Sequence, residues 1–160
     1  MTEEEFTRNM EAAERTLYHI ACAKLPNFHD REDAMMETVA RCWEKRNTLR
    51  NPEYFTTWSV RILLNVIHDI NRENSKRLSP ADMPDPWYRE TGYEDAELVE
   101  LLNTLSEDQR LVTVLYYVDN LSTPDIARAL RIPEGTVRYR LHRARKILKL
   151  ELDSGKEGLQ

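Results

Sequence analysis

The stretch Ser122–Arg145, "STPDIARALRIPEGTVRYRLHRAR", decides the fold. It opens on Ser122 with Asp125 three residues on. A serine in that place accepts one of the backbone N–H groups that a first helical turn leaves without a partner. Ile126, Ala127 and Leu130 then form the inward stripe of a helix only two or three turns long. "RIPEG" breaks that helix, because the residue before a proline is pushed out of helical backbone. A longer helix follows from about Glu134 to Leu150. With Val137 at zero on a wheel of about 100° per residue, Leu141, Ala144 and Leu148 fall within about 40° of it. Tyr139, His142, Arg143 and Lys146 take the opposite side, with Arg138 at the margin.

A capped short helix, a tight turn and a longer helix with a basic outer face make a helix-turn-helix. Such a second helix fits the major groove of duplex DNA, where arginine takes a guanine edge by two hydrogen bonds and other cations engage phosphates. A basic face that is merely solvated is the commoner case on an arbitrary helix. Here the cap, the turn and the apolar seam precede the face in the order that binding requires.

Charge supports this reading. The 160-residue chain has net charge −5. Arg131 to Lys149 holds seven bases and one acid, a local charge of +6, so the remainder carries −11. Clustered bases on an otherwise acidic chain describe one polyanion-binding face, with the rest repelling polyanions.

Outward from this stretch the sequence predicts an all-α protein of two small helical domains joined by a flexible linker, the second a four-helix domain holding the helix-turn-helix. Residues 1–75 form the first domain. Its first helix spans roughly Glu4 to Leu25, with Phe6, Met10, Ala13, Leu17, Ile20 and Ala21 inward. The second spans about Asp30 to Arg46, with Ala34, Thr38, Val39, Cys42 and Trp43 inward. "NPEYF" starts a third, with Asn51 as N-cap and Pro52 at the first helical position. Residues 76–93 read as linker, with three prolines, a glycine and no period. Residues 94–152 form the second domain, where "SEDQ" places Ser106 and Gln109 as a capping box. Residues 153–160 read as a disordered tail. Cys22 and Cys42 form no CxxC pair and read as reduced, buried thiols. The acidic start, "MTEEEFTRNM", has no apolar core of a signal peptide, and no run approaches a membrane span, so a cytoplasmic chain with no membrane insertion is expected.

The third helix mixes Tyr54, Phe55 and Trp58 with Arg61, Asn65, Asp69 and Arg72, the last four on one face. Aromatics beside amides and cations suit unstacked bases. Trp58 taken alone reads as a core residue.

These residues carry a family resemblance. "DREDAMMETVARCW" (30–43) followed by "FTTWSVRILLNVIHDINR" (55–72) resembles region 2 of bacterial sigma factors. "LSEDQRLVTVLYYVDNLSTPDIARALRIPEGTVRYRLHRARKIL" (105–148) resembles their region 4 very closely. The layout is similar to the extracytoplasmic-function (ECF) group of the sigma-70 family. The resemblance implies a non-enzymatic factor that binds core RNA polymerase and directs promoter-specific initiation. It implies polymerase contact through Asp33 and Glu37, with Met36 standing where the family usually has glutamine. Arg61, Asn65 and Asp69 match the motif that captures melted, single-stranded −10 bases. Arg138, Tyr139, His142 and Arg143 match the positions that read the −35 duplex, with Lys146 beside them. Ser122, Ile126, Ala127, Leu130, Val137 and Leu141 are the helix-turn-helix scaffold. Tyr139 replaces a usual small residue, and Arg131 a usual turn glycine, which asks Arg131 for left-handed backbone. An anti-sigma factor is the further partner implied; no cofactor and no metal are.

Two rivals differ in class. A helix-turn-helix regulator acting without polymerase would bind duplex DNA tightly alone, as a dimer. A metal hydrolase could use His19, Cys22 and His29, yet no further ligand has suitable spacing, and no Gly-rich phosphate loop or nucleophile motif appears.

Overall fold

The computed structural model describes residues 1–76 and 96–158, with side chains at 1–76 and 100–154. The expected linker lies outside them apart from Lys76. Every regular element among the described residues is helical. The first unit holds α1 (Glu3–Lys24), α2 (Phe28–Lys45) and α3 (Phe55–Lys76). The second holds α4 (Ala96–Asn103), α5 (Glu107–Thr113), α6 (Thr123–Leu130) and α7 (Glu134–Gly158). A wider π turn, Val114–Val118, prolongs α5.

Local chemistry sets these boundaries. Thr2 accepts the Glu5 N–H while Glu5 reaches back to the Thr2 N–H, a capping box that starts α1. This hydrogen bonding holds the exposed Glu5 carboxyl below its ordinary range. Asn27 caps α2. Asn51 caps a short turn, Pro52–Tyr54, that runs into α3. Ser106 and Gln109 form the expected box at α5, and Ser122 caps α6 through the Asp125 N–H at 3.2 Å.

In the first unit α1, α2 and α3 pack on one another. Phe6, Leu17, Ile20, Ala34, Cys42, Phe55, Leu63 and Val66 are buried. The Phe6 ring meets Trp43 and Phe55 edge-on at centroid distances of 5.1 and 5.8 Å, and the Arg46 guanidinium lies 3.7 Å over the Trp43 ring. Buried Arg31 straps the α1–α2 turn, donating to the carbonyl oxygens of Leu25 at 2.6 Å and Pro26 at 3.0 Å. Val39 was expected inward and is exposed. It sits about 100° round the helix from Thr38, which takes the inward place.

In the second unit α7 packs on α5 and α6. Val137, Leu141 and Ala144 are buried, as the wheel requires. Ile126 is buried too, but Ala127 and Leu130 are half-buried, and Ala129 takes the second inward place. The shift follows from α6 packing on α3 as well as α7. Helix α7 continues to Gly158 rather than ending near Leu150, so residues 153–158 are helical where a disordered tail was expected. No proline stands there to stop the helix, although Asp153, Ser154, Gly155 and Gly158 are weak helix formers.

Arg131 ends α6 at φ 57°, ψ 45°, in left-handed backbone. The Ile132 N–H closes the turn on the Ala127 carbonyl oxygen at 3.1 Å, a Schellman-type end that glycine usually occupies. The two units also touch, α1 on α5 and α3 on α6, and one apolar cluster runs from Phe6 and Leu63 into Leu115, Ile126 and Leu141.

A non-glycine residue in this backbone costs roughly 1–2 kcal/mol, part of which glycine would return through unfolded-state entropy. Arg131→Gly should therefore stabilise the chain by about 0.5–1 kcal/mol. Thermal unfolding followed by circular dichroism checks this; an unchanged or lower midpoint counts against it.

Candidate nucleic-acid interface

Burial of the Val137–Leu141–Ala144 seam turns the other side of α7 outward. Arg138, Tyr139, His142, Arg143 and Lys146 are all exposed, Tyr139 at 64 %. The structure therefore gathers the whole expected duplex-facing set on one surface. Several cations are steadied from within the unit. Glu134 Oε1 accepts from Arg138 at 2.7 Å and from the Thr123 hydroxyl at 3.0 Å, so one carboxylate ties α6 to the start of the basic face. Arg145 Nε donates to the Tyr117 hydroxyl at 2.7 Å, and Arg140 pairs with Asp108 at 3.7 Å. Such partners order long side chains before a polyanion arrives, reducing the entropy lost on binding.

The α3 residues divide. Arg61 and Asn65 are exposed on the strip that runs towards α6, and Arg61 Nε donates to the Arg128 carbonyl oxygen at 3.4 Å. Asp69 is half-buried and turns to α2, where Arg41 NH2 approaches it at 3.5 Å; Arg72 approaches its other oxygen at 3.4 Å. Tyr54 is exposed at the start of α3, Trp58 is half-buried, and Phe55 is core.

Asp33, Met36 and Glu37 are exposed on α2, Met36 at 72 %. They line an open groove with Arg41, Val66, Asp69 and Ile70. Asp69, about two turns along α3 from Arg61, thus also shares the groove of the expected polymerase contacts. Arg41 is the residue the sequence analysis missed. It joins Glu37, at 2.8 Å, to Asp69, and the hydrogen bond to Glu37 raises its already high pKa. The signal was the Glu37–Arg41 spacing of four on one helix.

His19 is buried and bonded to Asp119 at 2.9 Å, whereas His29 is exposed. Among the described residues no group of three or more His, Cys, Asp and Glu is arranged to hold a metal, and no helix is long and apolar enough to cross a membrane.

Comparison with known proteins matches residues 10–77 to Sigma-70 region 2 and residues 95–148 to Sigma-70, region 4. The chain belongs to the sigma-70 family. The RNA polymerase sigma factor SigV of Bacillus subtilis (strain 168) is 27 % identical over 138 residues, covering 84 % of this chain and 83 % of that protein. The ECF RNA polymerase sigma factor SigW of the same strain is 29 % identical over 163 residues, covering 85 % and 82 %. The sigma factor RpoE from Bartonella quintana, solved in complex with the anti-sigma factor NepR, has the same fold with a TM-score of 0.69 at 21 % identity, over 94 % of this chain and 98 % of that one. CnrH, solved in complex with the cytosolic domain of CnrY, gives 0.66 at 23 % identity over 96 % and 90 %. The region 4 match spans α4, α5, α6 and α7 as far as Leu148, and the region 2 match spans most of α1 and all of α2 and α3.

Phosphate contacts release counterions, so the logarithm of the duplex binding constant should fall linearly with log salt concentration. Lys146→Ala should weaken binding evenly across duplex sequences and reduce that slope by about 1. Fluorescence anisotropy over a salt series checks this; an unchanged slope removes Lys146 from the contact surface.

Proposed function

We propose that this sigma-70-family chain gives core RNA polymerase its choice of promoter, with the work divided between its two units. Residues 94–152 dock on duplex DNA at the −35 element. Arg143 and Arg138 take base edges, Tyr139 and His142 flank them, and Lys146 engages phosphate. Residues 1–75 hold melted −10 bases along Arg61 and Asn65, with exposed Tyr54 as a stacking partner. Residues 76–93 tether the two. Asp33, Met36 and Glu37, braced by Arg41, meet the polymerase, and Asp69 closes that groove as well as flanking the base-holding strip. The chain makes and breaks no covalent bond itself, works in the cytoplasm, and is held in check by an anti-sigma factor.

The observation that carries this reading is the clean division of α7. Its apolar seam is buried, and its cations face outward after a capped helix and a left-handed turn. Energetically, unstacking a base costs a few kcal/mol, which stacking and edge contacts of about 1–3 kcal/mol per base offset. The acidic remainder limits stray DNA binding by the unassembled chain. A polymerase-independent regulator is the poorer reading, because it leaves the exposed α2 groove without a role.

Run-off transcription with core polymerase on a genomic fragment library tests the whole reading, and failure of the purified chain to select any start site would sink it. Arg143→Ala should lower transcription from a cognate promoter and relax selectivity at one −35 position by about 1–3 kcal/mol. An unchanged promoter profile excludes it as a reader. Asn65→Ala should impair opening of the −10 element while leaving duplex −35 binding intact. Permanganate footprinting reads the bubble, and wild-type reactivity in this variant removes Asn65 from the mechanism.

A further inference from the structure

Helix α1 is buried on two sides, and only one of them serves its own unit. Phe6, Ala13, Leu17 and Ile20 face α2 and α3. Tyr18 and Cys22 instead pack with Leu102, Leu105, Val114 and Ala144 of the second unit. Between these stripes His19 Nδ1 donates to Asp119 Oδ2 at 2.9 Å, both side chains 2 % exposed and 100 residues apart in sequence. Asp119 is fixed in turn, its N–H donating to the Val114 carbonyl oxygen at 3.0 Å. At the rim Lys24 Nζ lies 3.5 Å from Glu107. On the far side of the same contact Arg61 donates to the Arg128 carbonyl oxygen at 3.4 Å.

We propose that the contact between the two units is an autoinhibitory latch: the His19–Asp119 pair holds the unassembled chain closed, with the exposed Arg61 tied through Nε to the α6 backbone, so that bases must compete for it. This rests on the reading of Arg61 and Asn65 as the base-holding strip. The occupant of the α1 stripe is the second unit of the same chain, joined through a tether that keeps its effective concentration high. The device suits a reversible contact. A wholly apolar interface would favour closure over a broad surface with little dependence on any one residue. A buried pair is strong only while both partners are in place, since removing one leaves the other buried without its charge or hydrogen-bond partner. A ligand that needs the open form, such as core polymerase with promoter DNA, is bound more weakly in proportion to the fraction of chain that is closed.

Cys22 supplies a readout that is independent of function. It is buried in the cluster that α1 forms with the second unit, whereas Cys42 lies in the core of the first unit with its thiol pushed up to about 12 by burial. Opening therefore exposes Cys22 alone, and unfolding exposes both. Full-length His19→Ala and Asp119→Ala are treated with a disulfide-exchange reagent at pH 8, with labelling assigned by peptide mass. Both should label Cys22 about tenfold faster than wild type, a usual size for coupling between sites, while Cys42 stays protected. Small-angle scattering should show a larger radius of gyration, and less protein should be needed for half-maximal run-off transcription.

Lys24→Glu, which sets two acids together at the rim without touching the buried pair, should move labelling in the same direction by about two- to fivefold, and adding Glu107→Lys should reverse it. The proposal is overturned if Cys22 of the wild type already reacts like an exposed thiol, or if its rate is unchanged in all variants. It is equally overturned if Cys22 and Cys42 react together in the buried-pair variants and Lys24→Glu leaves Cys22 at the wild-type rate. Faster labelling with an unchanged transcription requirement overturns the inhibitory role. Absence of transcription from the wild type, with Cys22 protected, instead marks failure of the functional reading.

Discussion

The second unit depends on one geometric constraint: a helix of 3.6 residues per turn has room for two incompatible surfaces only if their residues keep strict register. In α7 the buried seam of Val137, Leu141 and Ala144 leaves the intervening positions to Arg138, Tyr139, His142 and Arg143. A slip of one residue would drive an arginine into the contact with α5 and α6 and expose a valine. The seam therefore fixes which side chains meet solvent, and α6, capped by Ser122 and turned by Arg131, fixes the angle from which they do so. Which side chains α7 presents outward is thus inherited from packing in the residues on its other side.

Charge acts on a longer scale. The +6 stretch would attract any polyanion, and the −11 carried elsewhere opposes that attraction at distances up to a Debye length of about 8 Å at physiological salt. The acids are not evenly spread. Glu3, Glu4 and Glu5 crowd the first turn of α1, where they also complement the positive end of the helix. Asp33 and Glu37 stand on the exposed groove of α2. The cations thus gather on the outer face of α7, and acids stand apart from them on the first turn of α1 and the α2 groove.

Much of this was legible in the sequence because local chemistry sets it. The caps at Asn51, Ser106 and Ser122, the α7 seam, the core face of α1 and the strained backbone at Arg131 each follow from a few neighbouring residues. What was missed depends on contacts between distant parts of the chain. A single amphipathic stripe on α1 accounts for Leu17 and Ile20 but not for the depth of His19; Cys22 is buried as expected, and what covers both is a surface about 80–120 residues further on. Asp69 follows Arg61 and Asn65 along α3 by its spacing, and the further contact it makes with Arg41 on another helix is not visible in that spacing. Ala129 replaced Ala127 as an inward residue because α6 is packed from two directions. Helix α7 runs to Gly158, past its expected end, through residues whose own propensity is weak.

The same distinction bears on why the units meet at all. Each has its own apolar centre, yet the cluster that includes Leu63 continues into Ile126 and Leu141. If the contact were accidental, its polar atoms would be left to solvent. Instead His19 and Asp119, both withdrawn from water, satisfy one another across it. Burying a titratable pair is favourable only when its geometry is good, so a pair of this kind ties closure to one particular arrangement of the halves. It also limits how tightly they hold. Once separated, both side chains are solvated and lose little, which keeps the open form within reach of a partner that binds it better. Closure in this chain is thus tied to one geometry, and a partner that binds the open form better shifts it.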